Sequence, residues 1–223
     1  MIKPCVLVFD MDSVLAEVGG SFMASIQATV RHFAGVEVSL AQIAAYKKAG
    51  GWNNDWLLSQ KLILDLAQRE VPLAEVVAVF QRLFFGTDEV EGFILRETWI
   101  PKAGLLERLA ERYALATFTG RTRDELMPTL QRFAPGISWS VTITEEDVRR
   151  PKPAPDGLLA IAAAHPKSEL IYVGDNVDDA RSARSAGVRF IGVSDGDEEL
   201  AALLRADLAE AVVANVNQLE KLL

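Results

Sequence analysis

From Pro101 onward, short apolar runs alternate with stretches of helical periodicity, and this constrains the fold more than any other feature of the chain. Strand patterns fall at Tyr113 to Phe118, Trp139 to Ile143, Glu169 to Val173 and Val188 to Val193, with a weaker one at Ala211 to Ala214. Helical patterns fit between them at Ala103 to Arg112, Arg123 to Phe133, Pro155 to Ala164, Val177 to Ala186 and Glu198 to Ala206. Strand-helix repetition of this kind implies a doubly wound, Rossmann-like α/β core with a parallel sheet covered on both faces. Cys5 to Phe9 reads as a further strand buried on both faces.

Residues 18–98 break the alternation. They show no clear strand pattern and four amphipathic helices, near Ser21 to Phe33, Leu40 to Lys48, Asn54 to Arg69 and Leu73 to Phe85. The expectation is a helical domain inserted after the first strand, with residues 1–17 and 99–223 forming the α/β core. Gly19-Gly20 and Trp99-Ile100-Pro101 with Gly104 mark the crossings.

Composition narrows the function. Lys and Arg total 23 against 31 Asp and Glu, a formal charge of −8, which argues against general affinity for nucleic acid or an anionic membrane. An anionic substrate must therefore meet local cations. The single cysteine, Cys5, sits in the first strand pattern and reads as a buried structural thiol; with no internal disulfide available, a reducing cytoplasm is the expected setting. No signal-peptide pattern is seen at the amino terminus, and no apolar run reaches the roughly 18 to 20 residues needed to span a bilayer. Two histidines, His32 and His165, exclude a histidine-rich metal site.

The first strand stops at two carboxylates, Asp10 and Asp12, spaced so that both face one side. At the carboxyl end of a parallel strand they lie where open α/β sheets bind ligands, and two crowded acids ask for a cation or a proton between them. Three more features fall at strand ends. Thr119-Gly120-Arg121 offers a hydroxyl and flexible backbone opening onto a helix, suited to a phosphate oxygen or only a turn. Lys152, between Pro151 and Pro153, is held in extended backbone, with a solvated charge as the alternative. Gly174-Asp175-Asn176-Val177-Asp178-Asp179 is a second acidic cluster, in which Asp178 is the expected helix cap. Oxygen ligands of this type suit Mg²⁺.

In order and spacing, Asp10-Met11-Asp12, Thr119-Gly120, Lys152-Pro153 and Gly174-Asp175 with Asp179 resemble the four motifs of the haloacid dehalogenase superfamily of phosphohydrolases. The helical insertion resembles the cap of its phosphoglycolate phosphatase and β-phosphoglucomutase branch. That resemblance implies a nucleophile at Asp10, giving an aspartyl-phosphate, and a proton carrier at Asp12. It implies Mg²⁺ held by Asp10, the Asp12 carbonyl oxygen and Asp175, with Thr119 and nearby backbone on the phosphoryl oxygens. Lys152 supplies positive charge to nucleophile and transition state, and Asp179 orients Lys152 or a metal-bound water. Two departures stand out. Ser13 follows the second aspartate where relatives usually carry Gly, removing freedom at positive φ. Arg121 stands where many carry an uncharged residue, either touching a substrate carboxylate or phosphate or lying exposed at a helix start.

Within the insertion, Lys47-Lys48-Ala49-Gly50-Gly51-Trp52-Asn53-Asn54-Asp55-Trp56 lies between two helical patterns. Gly51, Trp52, Asn53 and Lys47 are candidate substrate contacts, since glycines admit close approach, tryptophan offers an apolar wall and amides read hydroxyls or carboxylates. The alternative is a helix-helix turn with Asn53 or Asn54 as a cap and Trp56 in the core of the insertion. The expected ligand is a small phosphorylated metabolite, a sugar phosphate or phosphoglycolate-like ester, hydrolysed with Mg²⁺. No nucleic acid or membrane partner is expected, and the protein is expected to be a monomer or weak homodimer. A phosphosugar mutase retains the same catalytic set. A 2-haloacid dehalogenase has no need of Asp12, and a phosphonate-cleaving enzyme would need Lys47 or Lys48 as a Schiff-base nucleophile. The reading from another class is a regulatory module that accepts phosphate at Asp10 without turnover.

Overall fold

The computed structural model describes residues 3–223. The chain runs β1 (Cys5–Phe9), a short β2 (Ala16–Glu17), then α1 (Ala24–Ala34), α2 (Leu40–Ala49), α3 (Asp55–Ala67) and α4 (Leu73–Phe85). A short β3 (Thr98–Trp99) follows, then α5 (Leu105–Arg112), β4 (Ala114–Phe118), α6 (Arg123–Phe133), β5 (Trp139–Ile143) and α7 (Asp156–Ala164). The chain ends through β6 (Glu169–Gly174), α8 (Val177–Ala186), β7 (Arg189–Val193), α9 (Glu198–Ala206), β8 (Ala211–Val213) and a last turn, α10 (Leu219–Leu222). It divides into two compact units, Met1–Ala16 with Trp99–Leu223, and Glu17–Thr98.

In the first unit, six strands form a parallel sheet in the order β5-β4-β1-β6-β7-β8, the doubly wound sheet that the alternating pattern predicts. The pleat divides β1 between two cores. Leu7 and Phe9 join Leu115, Ile171 and Val173 on one face, against Leu105, Leu109 and Leu126. Val6 and Val8 join Ala116, Phe118 and Tyr172 on the other, against Leu158, Ala183 and Leu204. Burial on both faces explains why β1 reads as a continuous apolar run. Helix α5 starts at Leu105, two residues later than its periodicity predicts. Gly104 before it adopts a left-handed φ of 81°, a conformation outside the helix. Cys5 is half-buried, more open than its sequence context predicts, and burial raises its thiol pKa.

The second unit packs helices alone. Phe22, Phe80 and Phe84 cluster with ring centroids 4.4 to 6.2 Å apart. A capping box between Ser39 and Gln42 starts α2, and Asn54 starts α3 by accepting from Trp56 and Leu57 N–H. The short strands β2 and β3, where the chain passes between units, pair with each other.

Candidate active site

The chain leaves β1 for β4 and β5 on one side and returns to β6, β7 and β8 on the other, so β1 lies at the point where strand order reverses. Crevices at such points, outside the carboxyl ends of the strands, are where α/β sheets bind ligands. Asp10 follows β1 there, its N–H donated to the Val173 carbonyl at 2.8 Å. Lys152 reaches the same place from the segment between β5 and α7. Its Nζ lies 2.9 Å from Asp10 Oδ1 and 2.7 Å from Asp179 Oδ1. The residue is only 5% exposed, which overturns the solvated-lysine alternative. The Phe118 and Tyr172 rings flank the ammonium at 4.9 and 5.4 Å. Burial alone would lower the Lys152 pKa, but Asp10 and Asp179 outweigh it and hold it above the ordinary lysine value. Burial raises the Asp10 carboxyl to about 7 against the pull of Lys152, with Asp179 and Asp12 adding to the rise.

Asp10, Asp175 and Asp179 each offer a carboxylate oxygen, all within 4.8 Å of one another. The oxygens of Asp179 already have other partners. Oδ1 accepts from Tyr172 Oη at 2.7 Å as well as meeting Lys152, and Oδ2 accepts the Asn176 N–H at 3.0 Å. All three are oxygen donors of the kind a hard cation takes. The Asn176–Asp179 capping box also corrects the expectation for Asp178: Asp179 is the acid that caps α8, while Asp178 is buried and faces Arg181 at 3.7 Å. Gly174 makes this arrangement possible. A Cβ there would meet Asp179 Oδ2 at 2.6 Å and Cβ at 2.7 Å, so no larger residue fits without displacing the acid that holds Lys152.

Thr119 follows β4 and is buried, its N–H donated to Ile143 O and its Oγ1 accepting from Arg121 N–H at 3.2 Å. Gly120 is half-buried beside it. Arg121 is 1% exposed, so the expectation of an exposed cation is wrong. Its Nε and Nη2 lie 2.8 and 2.7 Å from Asp12 Oδ1, and its Nη1 donates to Thr129 Oγ1 at 2.8 Å and to the Glu125 carbonyl at 3.3 Å. The guanidinium is turned toward these groups, which pairs Arg121 with Asp12. Ser13 takes a φ of 58°, the left-handed region a glycine would occupy, so the turn keeps that backbone at the cost of local strain.

Comparison with known proteins fits this geometry. The haloacid dehalogenase-like hydrolase model matches residues 6–187. The chain belongs to the haloacid dehalogenase-like hydrolases. It is 37% identical over 194 residues to a protein named imidazoleglycerol-phosphate dehydratase from Phytophthora nicotianae, covering 84% of this chain and 42% of that protein. It is 28% identical over 132 residues to the phosphoglycolate phosphatase of Escherichia coli (strain K12), covering 57% of this chain and 52% of that enzyme. The chain thus spans about half the length of these curated relatives. A crystal structure described as a putative haloacid dehalogenase-like hydrolase from Bacteroides fragilis superposes with a TM-score of 0.77 at 20% identity, covering 97% of this chain and all of that one. That likeness shows the fold.

Elsewhere in this hydrolase, the structure disposes of the insertion candidates unequally. Lys47 Nζ is 2.8 Å from Asp55 Oδ1, and Trp52 packs edge-on against Tyr46 at 5.6 Å. Asn54 is the helix cap, Asn53 is half-buried, and Trp56 is half-buried rather than fully in the core. Gly51 has a φ of 81° with open space where a Cβ would stand. No described helix is long and apolar enough to cross a membrane. Sequence reasoning missed Tyr172, Glu125 and Thr129. A tyrosine in an otherwise aliphatic buried strand, and residues spaced by four from Arg121, were the available signals.

Proposed function

We propose that this hydrolase is a Mg²⁺-dependent phosphatase that hydrolyses a small phosphate monoester, a sugar phosphate or phosphoglycolate-like ester, through an aspartyl-phosphate at Asp10. The observation that carries the reading is the buried Asp10–Lys152–Asp179 chain at the carboxyl end of β1. A single ammonium between two carboxylates gives the nucleophile a fixed cationic neighbour, and that cation stays charged as negative charge builds on the transferring group. Asp10 attacks phosphorus, forming the acyl-phosphate bond as the bond to the leaving oxygen breaks. Asp12 gives a proton to that oxygen and then takes one from the water that cleaves the aspartyl-phosphate. Thr119 and the Gly120 backbone hold phosphoryl oxygens. Asp179, tied to the amide of Asn176, keeps Lys152 in place.

The donor set fits a hard divalent cation, with Asp10, Asp175 and the Asp12 carbonyl as the proposed ligands. When bound, Mg²⁺ supplies charge neutralisation between the nucleophile and the phosphate. Residues 18–98 are assigned the role of a cap that selects substrate, with Gly51, Trp52, Asn53 and Lys47 as its candidate contacts. The naming of two relatives after small phosphorylated molecules supports the substrate class. Wild-type protein is expected to release p-nitrophenol from p-nitrophenyl phosphate with Mg²⁺, and Asp10→Asn to lose turnover while keeping its circular dichroism spectrum. Activity retained in Asp10→Asn would remove the nucleophile assignment. A screen of phosphorylated metabolites, with phosphoglycolate and imidazoleglycerol phosphate among them, then identifies the preferred leaving group.

A further inference from the structure

The geometry points to Arg121 as a positioning residue that fixes which oxygen of Asp12 handles the proton of the leaving group, an inference that rests on the phosphatase reading above. Both Nε and Nη2 of Arg121 meet one oxygen of Asp12, Oδ1, at 2.8 and 2.7 Å. The Arg121 side chain is wholly buried, whereas that of Asp12 is 28% exposed, so the clamp grips the acid from beneath and leaves its outer side toward solvent. The guanidinium is itself held from α6, where Nη1 reaches Thr129 Oγ1 and the Glu125 carbonyl. Glu125 and Thr129 are four residues apart in α6, so they fall on the same side of that helix.

A planar guanidinium anchored at both ends fixes the Asp12 rotamer, which a free aspartate of the same exposure would not hold. Proton transfer to a leaving group requires that placement, and it matters most when the leaving group is a poor one. Aryl phosphates, whose phenolate leaves without a proton, escape this requirement in the first half-reaction. Water attack on the aspartyl-phosphate uses Asp12 whatever the leaving group was.

The test compares kcat/KM for p-nitrophenyl phosphate with that for an alkyl phosphate such as glycerol phosphate, in wild type, Arg121→Lys, Arg121→Met and Thr129→Val. In Arg121→Met, kcat/KM should fall roughly 100-fold or more for the alkyl ester and less than about 10-fold for the aryl ester, within the usual range of general-acid contributions. A burst of p-nitrophenol should appear as phosphoenzyme accumulates. Thr129→Val removes one anchor without touching the buried charge, so it should show the same selectivity on a smaller scale, and it keeps the proposal testable if Arg121→Met fails to fold. Arg121→Lys should recover part of the alkyl rate. Parallel loss on both esters, or no selective loss in any variant, overturns the clamp while leaving the phosphatase reading intact. Absence of wild-type turnover on both esters overturns the two together.

Discussion

The carboxyl edge of the sheet and the helical unit handle charge in opposite ways. At the sheet edge, Lys152 and Arg121 are almost fully buried, each with at least one carboxylate within 3 Å and with further groups holding it in place. In the helical unit, Arg31 pairs with Glu37 and Lys61 with Asp65 with about a third or more of each side chain in water, while Lys47 with Asp55 is more enclosed, at 21% and 9%. Exposed pairs gain little because solvent screens them and their long side chains lose entropy on pairing. Buried ions cost several kcal/mol to desolvate, so they persist only where several partners offset that cost and fix the geometry. The contrast marks out where this chain invests most in exact placement: around Asp10 and Asp12 more than along the helices.

Removing the lysine gives the sharpest test of that difference. Lys152→Met should leave Asp10 and Asp179 facing each other without a cation, destabilising the metal-free protein by roughly 3–5 kcal/mol in urea titration. A loss below about 1 kcal/mol would put Lys152 in the same class as the surface pairs and break the comparison. Glu125 offers a pH version of the same contrast, since burial raises its carboxyl from the ordinary 4.5 to about 7. Below pH 4.5 both folded and unfolded chains hold the proton. Between 4.5 and 7 the unfolded chain loses it and the folded chain keeps it, so this group's contribution to stability falls as pH rises through that window. Glu125→Gln should flatten the slope, by a total on the order of 3 kcal/mol, when denaturation midpoints are followed with pH. Ser13→Gly, which relieves left-handed backbone but loosens the unfolded chain, should stabilise by about 0.5 kcal/mol. Lys61→Ala sets the floor: its effect should stay within about 0.5 kcal/mol and shrink further in salt.

Much of this was legible in the chain itself, for identifiable physical reasons. Strands buried on both faces leave long apolar runs, so β1, β4 and β6 stand out, and their ends point to Asp10, Thr119 and Asp175. Helices α6, α8 and α9 match their sequence patterns because Thr122, Asn176 and Asp197 cap them with their own side chains. Arg121 was not legible. Its partner, Asp12, lies 109 residues away, and no local pattern distinguishes an arginine that will be buried there from one left in solvent. The division of labour between Asp178 and Asp179 was hidden for a different reason. Two adjacent acids at a helix start look alike until the direction of β6 and the close approach of Gly174 decide which one turns inward.

The pairing of β2 with β3 bears on how the chain reaches this fold. β1 must find β4 across roughly 110 residues, since Val6 lies beside Ala114, and a loop of that length makes the sheet slow to nucleate. If the helical unit folds first, its two ends come together at the β2–β3 ribbon and about 80 of those residues drop out of the loop that remains to be closed. The closure cost then falls by about 1.3 kcal/mol, roughly an eightfold gain in the chance of the two central strands meeting. The insertion thus shortens the search that the core must make.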